Sequence, residues 1–98
     1  MTQPAHEQPV RARIVVHGRV QGVGFRAFAA GVASDLRLVG GVWNHPDGRV
    51  ELEVEGQKVG IEMLERQLRI GPSAAQVTKI ETEWGTATGR YSVFEIWY

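Results

Sequence analysis

A glycine-rich segment followed by an arginine is the part of this sequence best suited to chemistry. The segment GRVQGVGFR spans residues 18–26 and places Gly18, Gly22 and Gly24 just before Arg26. Glycine accepts positive φ, so consecutive N–H groups can turn inward as an anion-binding nest where a helix begins. A guanidinium in the first helical turn could add a bidentate grip on phosphoryl oxygens. The segment therefore indicates a phosphate site, although three glycines between a strand and a helix also occur in plain tight turns.

The elements on either side of this segment decide where it lies. Side chains alternate from Arg11 to His17, with Ala12, Ile14 and Val16 on one face, which predicts a first strand over residues 11–17. An apolar stripe at helical spacing then predicts a first helix after the glycines. Its members are Phe25, Phe28, Ala29, Val32, Ala33 and Leu36.

A hairpin, a second helix and more strands follow. Residues 39–44 and 50–55 predict two strands joined by the turn 45–48, and residues 58–70 predict a helix that ends in a left-handed cap at Gly71. Residues 77–84 and 90–98 predict a fourth strand and a final one. In the third strand, alternation predicts a solvent-facing row of three acidic side chains: Glu51, Glu53 and Glu55.

This order of elements predicts an α+β fold, the ferredoxin-like βαββαβ sandwich. We expect an antiparallel sheet of four to five strands with both helices on one face. We divide the chain into a flexible N-terminal tail, residues 1–9, and one domain, residues 10–98. A right-handed crossover brings the carboxyl ends of the first two strands to one edge, so the glycine segment and Asn44 become neighbours.

The composition limits the classes of partner. Eleven basic residues balance eleven acidic ones, there is no cysteine, and no apolar run approaches the length of a membrane span. His6, His17 and His45 are too far apart to suggest a metal site. We therefore expect a cytoplasmic monomer that uses no metal or cofactor and binds neither nucleic acid nor a membrane.

Several motifs together resemble one family. The nonapeptide at 18–26 resembles the phosphate-binding signature of the acylphosphatases, and VWNHPDGRVE at 42–51 resembles their second motif, around an asparagine. GPSAAQV at 71–77 and the terminal FEIWY resemble further family segments. The resemblance covers residues 11–98. It implies hydrolysis of the carboxyl–phosphate bond of an acyl phosphate, giving a carboxylate and orthophosphate, which also acts as an inhibitor.

The resemblance also implies roles for individual residues. Arg26 is the arginine that binds the phosphoryl group, and Asn44 is the asparagine that orients the attacking water. Backbone donors for the substrate come from the remaining segment, which consists of Gly18, Arg19, Val20, Gln21, Gly22, Val23 and Gly24.

Three positions depart from the family pattern. Arg37 stands where a glycine usually ends the first helix, Gly41 stands where a bulky residue usually precedes the valine of the second motif, and Ala27 replaces an aromatic. An arginine in a left-handed cap costs on the order of 1 kcal/mol relative to glycine.

Two other functions fit parts of the pattern. The same fold architecture serves RNA-binding modules, which stack bases on the central strands, but the predicted glutamate row would repel a phosphate backbone. A domain that binds a phosphate or an acyl phosphate without turnover would retain the anion site and lack the catalytic step.

Overall fold

A computed structural model describes residues 8–98 of the chain. The elements follow the predicted order: β1 (Val10–Arg19), α1 (Phe25–Asp35), β2 (Val39–Asn44), β3 (Val50–Gly56), α2 (Lys58–Ile70), β4 (Gln76–Thr86) and β5 (Phe94–Ile96). Residues 1–7 of the predicted tail lie outside the described residues, and residues 8 and 9 have no regular secondary structure. The ferredoxin-like α+β architecture is confirmed.

The sheet has five strands in the order β4-β1-β3-β2-β5. β1 pairs antiparallel with β3 and β4, and β3 pairs antiparallel with β2 in the predicted hairpin. β5 differs from the expectation because it is short and runs parallel to β2, which makes the sheet mixed. The reason is topological: β4 and β5 lie at opposite edges, so the residues between them must cross the sheet before the chain can pair again.

One face of the sheet carries the apolar core beneath the two helices. Ala12, Ile14 and Val16 of β1 and Val50, Leu52 and Val54 of β3 are fully buried there. Apolar side chains from the first helix (Phe25, Ala29, Ala33) and from the second (Ile61, Leu64, Leu68) fill the same cluster. The alternation read from the sequence therefore identified the core face correctly.

The opposite face of β3 corrects one expectation. Glu51, Glu53 and Glu55 are 2%, 9% and 3% exposed, so they do not form a solvent-facing acidic row. Most of their hydrogen-bond and ion-pair partners come from β1, from the residue just before β3 and from the segment that crosses the sheet after β4: Arg11, Arg13, Arg49, Thr88, Gly89, Arg90 and Tyr91. Alternation places the glutamates on this face, but it contains no information about the segment that covers them. The argument that exposed glutamates would repel RNA was therefore wrong.

The end of α1 contains the expected left-handed residue, whereas the end of α2 lacks the predicted left-handed cap. Arg37 has φ 59°, and it is the only non-glycine residue with positive φ within residues 8–98. The N–H of Leu38 donates to Ala33 O at 2.9 Å and that of Arg37 donates to Ser34 O at 3.0 Å, the paired bonds of a Schellman motif. After α2, Gly71 has φ 68° but ψ 177°, so the predicted left-handed cap is not formed.

Candidate active site

The glycine segment and the end of β2 enclose a cavity at one edge of the sheet. Its volume is about 170 Å³. The lining residues are Val20, Gly22, Gly24, Phe25, Arg26, Ala27, Asn44, Ile96 and Tyr98. The crossover through α1 thus brings the two motifs together as predicted, because β1 and β2 run parallel on either side of β3.

Backbone conformation shapes the loop side of the cavity. Gly22 and Gly24 have φ of 74° and 79°, values that favour glycine, and a Cβ at either position would meet nothing within 4 Å. Positive φ, and not lack of space, therefore requires glycine at both positions. The conformation lets the chain turn sharply into α1 beside the cavity.

The amino terminus of α1 faces this loop. Gly24 occupies the N-cap position, and no side chain within residues 8–98 caps it. The N–H groups of a helix's first turn have no partner inside the helix, and the helix dipole is positive at this end. The first turn of α1 contains no acidic residue. The arrangement favours an anion at this point.

Arg26 lies in that first turn and is partly buried. Its Cζ lies 5.4 Å from the centroid of the Tyr98 ring, a cation–π contact. No carboxylate in the described part of the chain forms an ion pair with it. The guanidinium is thus held at the cavity with its hydrogen-bonding edges not engaged by a protein anion.

Asn44 is the last residue of β2 and lies opposite Val50 in the hairpin. Its carboxamide oxygen Oδ1 is buried and accepts no hydrogen bond from the described residues. Buried polar atoms nearly always have a partner, so an orphaned acceptor on a residue that lines the cavity is suited to a donor from a bound molecule. An O–H group is such a donor.

Four of the predicted site residues, Gly18, Arg19, Gln21 and Val23, do not line the cavity. Gly18 has a different reason to be glycine: a Cβ there would lie 2.1 Å from the Gln76 carbonyl oxygen of β4. Gln21 directs its side chain to the β2–β3 turn, where its Nε2 donates to the carbonyls of His45 and Arg49.

Sequence reasoning missed four residues of the cavity wall: Phe25, Ala27, Ile96 and Tyr98. Phe25 and Ala27 flank Arg26, so their proximity follows from the predicted helix. Ile96 and Tyr98 reach the cavity because β5 pairs parallel with β2, with Ile96 opposite Val42. That pairing has no local signal in the sequence, apart from the resemblance of the terminal FEIWY to family segments.

Aromatic packing supports the strand that carries Asn44. Trp43 stacks on Trp97 with ring centroids 5.4 Å apart and an interplanar angle of 20°. The Trp97 indole lies over Gly41, where an added Cβ would approach ring atoms to 2.1 Å. The departure from the family pattern at Gly41 therefore has a structural counterpart: the indole occupies the space of a larger side chain.

Charged side chains hold the hairpin next to Asn44. Arg13 Nη2 and Arg49 Nε each donate to Glu51 at 2.7 Å. Burial of Glu51 would raise the pKa of its carboxyl, but these hydrogen bonds and charges outweigh burial and lower it below its ordinary value. Glu51 therefore stays ionised and anchors the strand. His17, which sequence alternation places on the same face, pairs with Glu81 at 2.7 Å.

Two further findings concern partners. Within residues 8–98, no group of three or more histidine, aspartate or glutamate side chains could hold a metal ion. Neither α1 nor α2, the helices of the described chain, has the length and apolar character that crossing a bilayer requires.

Comparison with known proteins identifies the family. The acylphosphatase family model matches residues 12–96, which includes the whole cavity except Tyr98. The chain belongs to the acylphosphatase family. It hydrolyses the carboxyl–phosphate bond of acyl phosphates, so an acyl phosphate is the substrate and orthophosphate is a product.

Individual acylphosphatases agree with this membership. The acylphosphatase from Anaeromyxobacter dehalogenans is 52% identical over 87 residues, which cover 89% of this chain and 94% of the relative. That from Thermus thermophilus is 48% identical over 75 residues, covering 76% of this chain and 85% of the relative. The crystal structure of acylphosphatase from Bacillus subtilis matches with a TM-score of 0.88 at 36% identity, covering 91% of this chain and 99% of that one.

Proposed function

We propose that the two sides of the cavity divide the reaction between them. Arg26 and the N–H groups at the start of α1 hold the phosphoryl group, while Asn44 holds the water that attacks phosphorus. The water approaches in line with the bond to the leaving carboxylate. The observation that carries this proposal is the buried Oδ1 of Asn44, which has no hydrogen-bond partner within the described part of the chain and belongs to a residue that lines the same cavity as Arg26.

The chemistry of the substrate explains why so few groups suffice. An acyl phosphate is a mixed anhydride, and its leaving group is a carboxylate, which departs without protonation. The enzyme therefore needs no covalent nucleophile and little acid catalysis. Placing the water and stabilising charge on the phosphoryl oxygens supply the acceleration.

The loop side is suited to charge stabilisation. The helix amino terminus, its free N–H groups and the Arg26 guanidinium all favour negative charge at one point. A guanidinium can donate two parallel hydrogen bonds to two phosphoryl oxygens. Charge that develops on those oxygens in the transition state is therefore opposed by groups already in place.

The strand side of the cavity, where Asn44 ends β2, is suited to binding the attacking water. A water that donates one proton to Asn44 Oδ1 satisfies the buried acceptor and has its oxygen lone pairs free to face phosphorus. Both protons of the water stay with the phosphate, which leaves as H2PO4⁻ or releases one proton to solvent. The Asn44 carboxamide is not a base and takes no proton. Its role is to fix the direction of attack, which the rigid end of a paired strand serves better than a loop.

The position of attack is open to a direct test. Benzoyl phosphate would be hydrolysed in ¹⁸O-enriched water with a metal chelator present, and both products would be analysed by mass spectrometry. We expect one labelled oxygen in orthophosphate, none in benzoate, and turnover unaffected by the chelator. Label in benzoate would mean attack on the carbonyl carbon, and the proposed roles of Asn44 and Arg26 would then be wrong.

We also propose that residues 10–98 act as a single domain and that the protein works as a cytoplasmic monomer. Arg26 and Asn44, to which we assign the phosphoryl group and the water, both line a cavity formed within this single domain. A sequence without cysteine is compatible with a reducing compartment. Sedimentation equilibrium at assay concentrations would report a mass near 10.9 kDa for a monomer, whereas twice that mass would refute it.

A further inference from the structure

The side chain of Gln21 connects the two sides of the cavity. Gln21 lies between Val20 and Gly22, which both line the cavity, yet Gln21 itself is not part of the wall. Its Nε2 donates to the carbonyl oxygen of His45 at 2.7 Å and to that of Arg49 at 3.0 Å. One side chain of the phosphate loop is thus bonded to both ends of the β2–β3 turn.

These two bonds use the full donor capacity of the carboxamide nitrogen, which carries two hydrogens. The two carbonyls already accept backbone bonds that close the turn: Arg49 O from His45 N at 2.9 Å, and His45 O from Gly48 N at 3.0 Å. The turn therefore has backbone hydrogen bonds of its own, and the two bonds from Gln21 add a link between the turn and the loop.

We call this pair of hydrogen bonds from Gln21 the tether. Its position matters because it joins the segment next to Asn44 to the phosphate loop. His45 directly follows Asn44 in the sequence, and Gln21 lies within the loop whose glycines bound the phosphate end of the cavity. A shift between these two segments would change the distance and angle between the water and phosphorus. Misplacement by about 1 Å is enough to cost on the order of a hundredfold in rate.

We propose that Gln21 is a positioning residue for hydrolysis: it holds Asn44 in register with the phosphate loop and does not bind substrate through its side chain. This inference rests on the proposed role of Asn44. It assigns to the side chain of Gln21 a function distinct from the backbone contacts expected of the loop.

The test is a double-mutant cycle between Gln21→Met and Asn44→Ala, measured by benzoyl phosphate turnover and by the dissociation constant of inorganic phosphate. Methionine has a similar length and no donor. We expect Gln21→Met to lower kcat by roughly 10- to 100-fold while phosphate affinity stays close to the wild-type value. In the Asn44→Ala background the same substitution should have almost no further effect on kcat. Gln67→Met, at an exposed position of α2, is the matched control and should retain wild-type turnover.

A second variant separates tethering from a general loss of structure. In Gln21→Glu, an ionised carboxylate would face two carbonyl oxygens and repel them, whereas a protonated carboxyl could donate one hydrogen bond. We expect the kcat of Gln21→Glu, relative to wild type, to rise as the pH falls. The corresponding ratio for Gln21→Met should stay constant with pH.

Four outcomes would overturn the inference. If Gln21→Met lost phosphate affinity in parallel with kcat, Gln21 would be a ligand of the phosphoryl group. If Gln21→Met lowered kcat by the same factor in the Asn44→Ala background as in wild type, Gln21 would act independently of Asn44. Wild-type turnover by Gln21→Met, with kcat still lowered in Asn44→Ala, would refute the tether and leave the proposed function standing. Wild-type turnover by Asn44→Ala would refute the proposed function itself, and the tether with it.

Discussion

The two segments that meet at the cavity are held by different kinds of interaction. On the loop side, backbone conformation is the main constraint, through positive φ at Gly22 and Gly24 and the start of α1. On the strand side, side chains hold the structure, through the Trp43–Trp97 stack and the ion pairs of Glu51. Backbone geometry does not titrate, whereas a carboxylate does. The part that binds phosphate should therefore tolerate changes that disturb the part that holds water.

The largest effect is expected on the loop side. Arg26→Ala removes the one cationic side chain that lines the cavity among the described residues, and it leaves charge on the phosphoryl oxygens opposed only by N–H groups. We expect kcat/KM to fall by roughly a thousandfold. Steady-state hydrolysis of benzoyl phosphate measures this, with Arg69→Ala at the exposed end of α2 as control. A loss of less than tenfold, about 1.4 kcal/mol, would show that Arg26 is not the main anion ligand.

The next effect concerns the strand side. Asn44→Ala removes the acceptor for the attacking water but leaves the loop and Arg26 in place. We expect kcat to fall by roughly a hundredfold, since the water loses its direction of approach while the phosphoryl group stays bound. Single-turnover kinetics would separate this loss from slow product release. An unchanged chemical step would contradict the assigned role.

Gly41→Ala tests the aromatic support of the strand side. The new methyl group would lie 2.1 Å from Cε2 of Trp97, and the indole is held by Trp43 on one side and approached by Tyr91. We expect a loss of about 1–3 kcal/mol in the free energy of unfolding, measured by urea denaturation. Gly31→Ala, where a Cβ meets nothing within 4 Å, is the control and should raise stability by up to about 1 kcal/mol. Equal stability of the two variants would show that Trp97 moves aside freely.

Acid should weaken the strand side through Glu51. The pKa of its carboxyl is lowered in the folded protein, so the unfolded chain binds more protons as the pH falls. Its contribution to stability is complete above the unfolded value of about 4.3 and is lost as the pH drops through the lower folded value. In Glu51→Gln, we expect the unfolding free energy to fall less steeply than in wild type between about pH 5 and 3, measured by denaturant titration at each pH. Glu62→Gln, at an exposed position of α2, should keep the wild-type slope, and an unchanged slope in Glu51→Gln would contradict the account.

Much of the fold was predictable because its signals are local. The bounds of β2 and α2 follow from apolar spacing and from glycine and proline at their ends, and the crossover rule alone predicts that Asn44 lies beside the loop. Arg37 was expected to adopt a left-handed conformation, and it does, with φ 59°. For β2, α2 and the end of α1, the deciding residues are close together in the sequence.

The features that were missed depend on residues far apart in the sequence. Glu53 and Glu55 of β3 are covered by residues 33 to 38 positions away, and alternation along a strand cannot reveal such a covering segment. The family motif identifies Gln21 as part of the loop but gives no direction for its side chain, which the structure directs to the β2–β3 turn. The roles of Arg26 and Asn44 remain predictions that activity measurements must test.

The central claim is that Arg26 binds the phosphoryl group and Asn44 binds the water. It is tested most directly by the dissociation constant of inorganic phosphate, measured by calorimetry for wild type, Arg26→Ala and Asn44→Ala. The account predicts that Arg26→Ala binds phosphate far more weakly, while Asn44→Ala keeps an affinity close to that of wild type despite its loss of turnover. Equal loss of phosphate affinity in both variants would contradict it, because Asn44 would then be part of the grip on the phosphoryl group and not the residue that holds the water.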